Sequence, residues 1–428
     1  MNTKKSFFNW YLSINLLLKI TIAIVMGSIV GVLLIVLEVD AESYIDIVSP
    51  LGDVLIRLLK MIVIPVVSLS LIVGAASLAP SKLGSVGIKI LVIYFVTNAV
   101  AVFLGLLFAN IFKPGLGMNL VSDITTVITV KPPQSMVQVF LNIIPTNLIE
   151  SLVKGDILPI IFFSFLFGIS IAILKEKKVK GAQVLLEVLE GAVEAIYVIV
   201  GGVMQYAPIG VFALISIVFA IHGAKVLGPL LFVIVVCYIT YTVQLFLVFG
   251  GMLAMNKLNI VVFFKKTTQA FITAFVTRSS SGTLPVSMNS MENLGVPRAI
   301  SSFTLPLGAT INMNGTAIYL GICAMFVGYA TNTPLTIEQQ ITTVITASLA
   351  AIGTAGIPGA GAIMLLLVFE TIGFKFTEGS AIATAYAMIL GIDTILDMGR
   401  TSLNVGGDMV CTAIITKSEN ELDEMKWR

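Results

Sequence analysis

The stretch Ile389-Leu390-Gly391-Ile392-Asp393-Thr394-Ile395-Leu396-Asp397-Met398-Gly399-Arg400-Thr401-Ser402-Leu403-Asn404-Val405-Gly406-Gly407-Asp408 decides the fold. It lies inside an otherwise apolar span, yet it carries three carboxylates, an arginine and an asparagine. On a helix turning about 100° per residue, Asp393, Asp397, Arg400, Asn404 and Asp408 share one face. They fall within a wedge of roughly 80°. A charge at the centre of a membrane helix costs about 2.5–3.5 kcal/mol even on the mildest scale. Polar groups kept to one such face predict a wet, binding surface rather than a random scatter.

The rest of the chain confirms the membrane setting. It has 428 residues, 57% hydrophobic and 11% charged, with a mean hydropathy of +1.03. That is the composition of an all-α polytopic membrane protein. A net charge of +2 offers no field for nucleic acid. Cys237, Cys323 and Cys411 stand alone in apolar surroundings and read as packing residues, with no metal or disulfide spacing. His222 precedes Gly223 and reads as a loop or interface residue. The first apolar segment is long enough to span and lacks a small-residue cleavage site, so no cleavable signal is expected.

Apolar spans are predicted at 16–38, 48–77, 86–112, 155–174, 184–221 and 226–255. The second and fifth exceed one straight crossing of about 20 residues and should tilt or project beyond the bilayer. Segment 113–154, with Lys113-Pro114-Gly115 and Lys131-Pro132-Pro133, reads as an external excursion. Basic loops at Lys82/Lys89, Lys175–Lys180 and Lys257–Lys266 alternate with the acidic loop Glu38–Asp46. That pattern puts both termini in the cytoplasm of a multi-pass protein of the cell (inner) membrane. Arg57 and Lys60 read as snorkelling interface residues.

Beyond Asn259 the spans break. Thr277-Arg278-Ser279-Ser280-Ser281-Gly282-Thr283 interrupts one apolar segment, and Gly353-Thr354-Ala355-Gly356-Ile357-Pro358-Gly359-Ala360-Gly361 interrupts another. Neither half of either segment reaches about 20 residues, so each segment is expected to enter and return as a helical hairpin. A span with a polar break follows each: Pro306–Thr316 after the first, the Asp393–Asp408 face after the second. Hairpin then broken helix, twice, marks a transporter of inverted repeats with its site at the midplane.

The chemistry follows from residue types. Ser- and Gly-rich helix ends present free N–H groups and suit a carboxylate. Arg400 offers a bidentate fork, with Asp397 one turn away. One arginine cannot neutralise three aspartates, so cations are required. Asn312, Asn404, Asp408 and the carbonyls freed at the Gly308 break form an all-oxygen donor set, which suits a hard monovalent cation such as sodium.

TRSSSGT, PLGATINMNGT, GTAGIPGAGA and AYAMILGID…DMGRT…N…GD resemble the sodium-coupled glutamate/aspartate transporters, the dicarboxylate/amino acid:cation symporter family, in their prokaryotic form. The resemblance implies eight transmembrane helices plus two re-entrant hairpins, and a homotrimer in the lipid bilayer working by an elevator mechanism. It divides the chain into 1–255, mainly scaffold and trimerisation helices, and a transport core at 256–416. Spans 86–112 and 226–255 join the core. The core comprises hairpin 1 (260–291), helix 7 (296–330), hairpin 2 (338–372) and helix 8 (377–416), and 417–428 is a cytoplasmic tail. The resemblance assigns substrate contact to Arg278, Ser279, Ser280, Thr316, Ile357, Gly361, Asp397, Arg400, Thr401 and Asn404. Arg400 and Thr316 would hold a side-chain carboxylate, Asp397 and Thr401 the amino group, and Asn404 the α-carboxylate. One sodium would use Gly308, Asn312, Asn404 and Asp408; a second, Thr310, Ala351, Ile352 and Thr354. A third family site matches Tyr94, Thr97, Asn98 and Asn312, but the family's aspartate in NMDGT is Asn314 here. Two or three sodium ions are therefore the expected cofactors.

The implied activity is sodium-coupled symport of L-aspartate or L-glutamate, not enzymatic turnover. Alternatives of the same fold are a C4-dicarboxylate carrier, a neutral amino acid carrier and a proton-coupled variant. Asp397 opposes a second carboxylate, and a neutral substrate would leave Arg400 buried and unpaired. An intramembrane aspartyl protease would need facing aspartates; Asp393 and Asp397 share one helix beside an arginine that keeps both ionised. A passive channel would not explain two closing tips.

Overall fold

A computed structural model describes residues 16–38, 41–76, 87–120, 144–154, 157–352, 358–374 and 380–427, with positions 11, 14, 141, 354, 356, 376 and 377. Among these residues every regular element is a helix. In chain order they are α1 (Leu16–Val36), α2 (Ala41–Ala76), α3 (Ile88–Phe112), α4 (Leu148–Lys154), α5 (Ile157–Glu176) and α6 (Lys180–His222). A continuous path from α7 (Leu227–Val243) through a π-helix (Gln244–Phe249) to α8 (Gly250–Met255) follows. The remainder is α9 (Ile260–Thr277), α10 (Ser280–Asn293), α11 (Arg298–Ile311), α12 (Asn314–Ala330), α13 (Ile337–Ile352), α14 (Ala360–Thr371) and α15 (Ala381–Ser418). A short 3-10 turn, Glu424–Trp427, closes the described chain.

Among the described residues nine stretches are long and apolar enough to cross a membrane. Eight match the eight expected crossings, with Arg298–Ala330 spanning α11 and α12 together. The ninth, Ile260–Thr277, is the first leg of hairpin 1 and corrects one expectation: at 18 residues this leg is long enough to cross. It nevertheless belongs to a returning pair. The segment after α15 touches Phe263 and Lys266 near the start of α9 and Glu292 and Leu294 at the end of α10. Both ends of the hairpin therefore lie side by side. The predicted excursion at 113–154 resolves into a turn after α3 and the seven-residue α4; residues 121–140 lie outside the described residues.

The long α2 carries Pro50 and Pro65, and the 43-residue α6 carries Pro208. α1 and α2 each pack along α6, with α5 against α2. α15 forms the axis of the other half and touches α7, α9, α10, α11 and α12. α12 is buried on every side. Beyond the polar first turn of Asn314 and Thr316, its apolar circumference suits such a position. It lies so close to α3 that a Cβ at Gly105 would meet the Ile318 carbonyl. All three cysteines are free and buried, as expected of packing residues. Lys60, read as a snorkelling interface residue, is exposed, and its Nζ donates to the Phe376 carbonyl at 3.1 Å and sits 4.5 Å from that ring's centroid. It thus ties α2 to the turn after hairpin 2.

Candidate functional site

Three chain breaks build the site, each leaving one helix C-terminus and one helix N-terminus. Hairpin 1 turns between α9 and α10 at Arg278, which adopts a left-handed backbone (φ 55°). Ser279 caps α10: its Oγ accepts from Gly282 N at 3.0 Å and donates to the Gly356 carbonyl at 2.8 Å. Between α11 and α12, Asn312 and Met313 leave helical geometry (φ −105° and −110°). Hairpin 2 turns between Ile352 and Ala360, with Gly359 at φ 80°.

The N-terminal ends of α10, α12 and α14 converge on one pocket. It is lined by Arg278, Ser280, Met313, Thr316, Thr354, Gly356, Ala360, Gly361, Asp397, Arg400, Thr401 and Asn404. Three positive helix ends favour an anion. Of the expected substrate residues, Arg278, Ser280, Thr316, Gly361, Asp397, Arg400, Thr401 and Asn404 line this pocket. Ser279 sits behind it as the cap of α10, and Ile357 lies outside the described residues.

The central charges are paired with each other. Asp397 Oδ1 accepts from Arg400 Nε at 3.0 Å, from Arg400 Nη2 at 2.8 Å and from Thr401 Oγ1 at 3.2 Å. Its Oδ2 accepts from Gly359 N at 3.0 Å and lies 4.0 Å from Arg278 Nη1. Arg400 Nη1 reaches Asp393 Oδ1 at 3.3 Å, and Cζ lies 4.5 Å from the centroid of the Tyr319 ring. Gly361 packs so tightly that a Cβ there would overlap the guanidinium. Arg278, Asp397, Arg400 and Asp393 thus form a buried network of zero formal charge. Buried charges demand such mutual pairing. Asp393, which the resemblance left without a role, holds the outer end of Arg400.

Asn404 turns away from the ion pairs. Its Oδ1 caps α12 through Gly315 N at 2.7 Å, and its Nδ2 donates to Met313 Sδ and Thr316 Oγ1 at 3.2 and 3.3 Å. Asp408 stands apart: it accepts from Asn312 Nδ2 at 2.9 Å and forms no salt bridge among the described residues. Gly308 packs against the same carboxylate and against Tyr94 Oη. An anion only 3% exposed with one neutral donor fits a cation partner. The second expected cation set lies elsewhere. Gly356 packs on the Ala309 carbonyl, which brings the C-terminal ends of α11 and α13 together, with Thr354 Oγ1 on the Ala350 carbonyl at 2.8 Å. Two negative helix ends suit a cation. Thr310 Oγ1 donates to the Leu307 carbonyl, Ala351 is fully buried, and only the backbone of Ile352 is described.

The third set is knitted by its own hydrogen bonds. Tyr94 Oη donates to the Thr304 carbonyl, Thr97 Oγ1 to Asn312 Oδ1, and Asn98 Nδ2 to the Ile311 carbonyl at 2.8 Å. Asn98 Oδ1 therefore faces residue 314 and needs a donor. Asn314 Nδ2 supplies one at 3.0 Å, leaving its own Oδ1 without a partner.

A family model described as the sodium:dicarboxylate symporter family matches residues 16–418. The chain belongs to that family. It is 38% identical over 421 residues to the proton/sodium-glutamate symport protein of Geobacillus stearothermophilus, covering 96% of each chain. It is 34% identical to the proton/glutamate-aspartate symporter of Escherichia coli strain K12, over 95% of this chain and 94% of that one. It is 33% identical to the C4-dicarboxylate transport protein of Rhizobium meliloti strain 1021, over 88% and 85%. This sodium:dicarboxylate symporter family chain is thus a multi-pass membrane transporter rather than an enzyme, and its substrates are of the dicarboxylate or acidic amino acid class.

Two residues of the symporter site escaped the reading of the sequence. Tyr319, under Arg400, lies one helical turn beyond Thr316 and was legible by that spacing. Met313 sits inside the quoted NMNGT motif. Gly359 is one of the tip glycines, but its N–H on Asp397 follows only from the three-dimensional turn.

Proposed function

We propose that the protein is a secondary active symporter for L-aspartate or L-glutamate, coupled to sodium and working as a homotrimeric elevator in the cell membrane. The observation that carries this reading is the neutral Arg278–Asp397–Arg400–Asp393 network beneath three helix N-termini, with Asp408 set apart. A substrate carboxylate competes with Asp397 for Arg400, and the freed Asp397 meets the substrate ammonium. Both exchanges conserve the number of ion pairs, so an acidic amino acid enters without stranding a charge. A C4-dicarboxylate finds two guanidinium groups, Arg278 and Arg400, but leaves Asp397 facing a second anion.

The coupling reading follows from the charge balance. The four-membered network sums to zero, Asp408 contributes −1 and a monoanionic substrate −1, and two sodium ions balance them. Bound sodium would supply that positive charge at the Asp408 and α11/α13 sets. At the third set Asn314 donates where an aspartate could only accept. Two ions per substrate are therefore expected. The test is radiolabelled uptake into proteoliposomes, with sodium, potassium or protons outside and aspartate, glutamate, serine and succinate competing. Sodium-dependent uptake blocked by aspartate or glutamate is expected; its absence defeats the proposal. Reversal potentials should give two sodium ions, and Asn314→Asp should raise the ratio toward three. A wild-type ratio of three defeats the two-ion reading.

A further inference from the structure

Four consecutive carbonyls at the end of α10 are capped from outside that helix. A helix leaves its last carbonyls without intrahelical partners. Here Lys426 Nζ donates to the Glu292 carbonyl at 3.2 Å, and Lys266 Nζ to the Asn293 carbonyl at 3.2 Å. Trp427 Nε1 donates to the Leu294 carbonyl at 2.6 Å, and Asp423 N to the Gly295 carbonyl at 3.1 Å. Three of these four donors come from the segment after α15, and the fourth, Lys266 on α9, also donates to the Lys426 carbonyl at 2.6 Å. The Trp427 ring is 5% exposed and stacks on Phe263 of α9, centroids 6.2 Å apart. Two ammonium groups at a helix C-terminus also match its dipole. The segment grips both legs of hairpin 1 at the base.

The other end of α10 is Ser280, in the pocket. Fourteen residues separate base from tip, roughly 21 Å of helix. Between them Thr283, Ser287, Ser290 and Met291 are buried, so α10 is guided along its length and a shift at the base is passed to the tip.

We propose that Lys426 and Trp427 are positioning residues for the substrate site, fixing the C-terminal end of α10 so that Ser280 is held in the pocket. The proposal rests on the reading above only in taking that pocket as the substrate's. Its test uses the full-length protein in detergent and in proteoliposomes, with Trp427→Ala, Trp427→Phe, Lys426→Met and Lys426→Arg. Without substrate, hydrogen exchange should quicken at least tenfold at 291–296 in Trp427→Ala, and also at the tip amide of Gly282. The KM for acidic amino acid should rise about tenfold with kcat changed less than twofold, since a misplaced group of about 1 Å can cost as much or more. Lys426→Arg should restore the wild-type KM, and Trp427→Phe should fall between. Faster exchange at 291–296 with an unchanged Gly282 amide and unchanged KM overturns the proposal, as the segment would then cap the helix without placing its tip. Unchanged exchange at both ends overturns it too. If Gly282 responds but wild-type protein takes up no acidic amino acid, the positioning role stands and the substrate reading falls.

Discussion

Hairpin 1 turns in two residues, Arg278 and Ser279, whereas hairpin 2 turns over the seven positions between Ile352 and Ala360. The short turn satisfies itself: Ser279 caps α10, and the far end of α10 is capped by the segment after α15. The long turn is held by other parts of the site. Gly359 N–H rests on Asp397, and the Gly356 carbonyl receives Ser279 Oγ and Ser281 N. Hairpin 1 thus carries its own caps, with Arg278 facing Asp397 Oδ2 at 4.0 Å, while the Gly359 N–H of hairpin 2 donates directly to that carboxylate, which substrate is proposed to draw away from Arg400. A lid and a binding group that share one acceptor are coupled by construction. The difference predicts that hairpin 2 responds more than hairpin 1 to what fills the pocket.

The largest effect expected of that comparison is at Arg400. Arg400→Cys strips Asp397 and Asp393 of their close guanidinium, and breaking a buried pair costs about 3–5 kcal/mol. Aspartate or glutamate affinity should fall by more than about 100-fold, while hydrogen exchange quickens in hairpin 2 and not in α10. Equal loosening of both hairpins would break the comparison. Next come two matched methyl additions. Gly361→Ala on hairpin 2 drives a Cβ into the guanidinium, and Gly282→Ala on hairpin 1 meets only the Ser279 side chain, Oγ at 3.2 Å and Cβ at 3.4 Å. Overpacking costs about 1–3 kcal/mol, so Gly361→Ala should weaken substrate binding by about tenfold to 100-fold. Gly282→Ala, gaining helix propensity, should stay within about threefold. Calorimetric titration of both purified variants gives the ratio, and equal losses would place the two tips on the same footing. A smaller effect than that of Gly361→Ala is expected at Ser279→Ala. A lost cap costs about 1 kcal/mol, or about fivefold in affinity, and because Ser279 also holds Gly356, exchange should rise at both tips together.

Much of this arrangement was legible in the sequence because it rests on local pattern. The Asp393–Asp408 face does bury all five polar residues, but on one unbroken 38-residue helix where a broken span was expected; only the span after hairpin 1 breaks. The hairpin tips and the 312–313 break appear where Gly, Pro and Ser interrupt apolar runs. What escaped was pairing between distant segments. Nothing in Lys60 announces Phe376, and nothing in Trp427 announces Leu294. Helical spacing put Asp397 and Arg400 on one face, but the donation of both Nε and Nη2 to the one oxygen Oδ1 depends on rotamers. The 18-residue first leg of hairpin 1 shows a further limit: length alone does not separate a crossing helix from one that turns back.

The neutral network has a consequence for how the membrane voltage acts on the proposed cycle. With the pocket empty, the moving charge is that of Asp408 alone, about −1; with substrate and two sodium ions it is zero. Voltage then works on the return of the empty carrier and leaves the loaded step untouched. A charge crossing the full field exchanges about 2.3 kcal/mol per 100 mV. An inside-negative potential pushes the empty, negative carrier outward and resets it for the next substrate. One unpaired aspartate, buried beside Gly308, would thus let the cell's electrical gradient drive the step that carries no cargo.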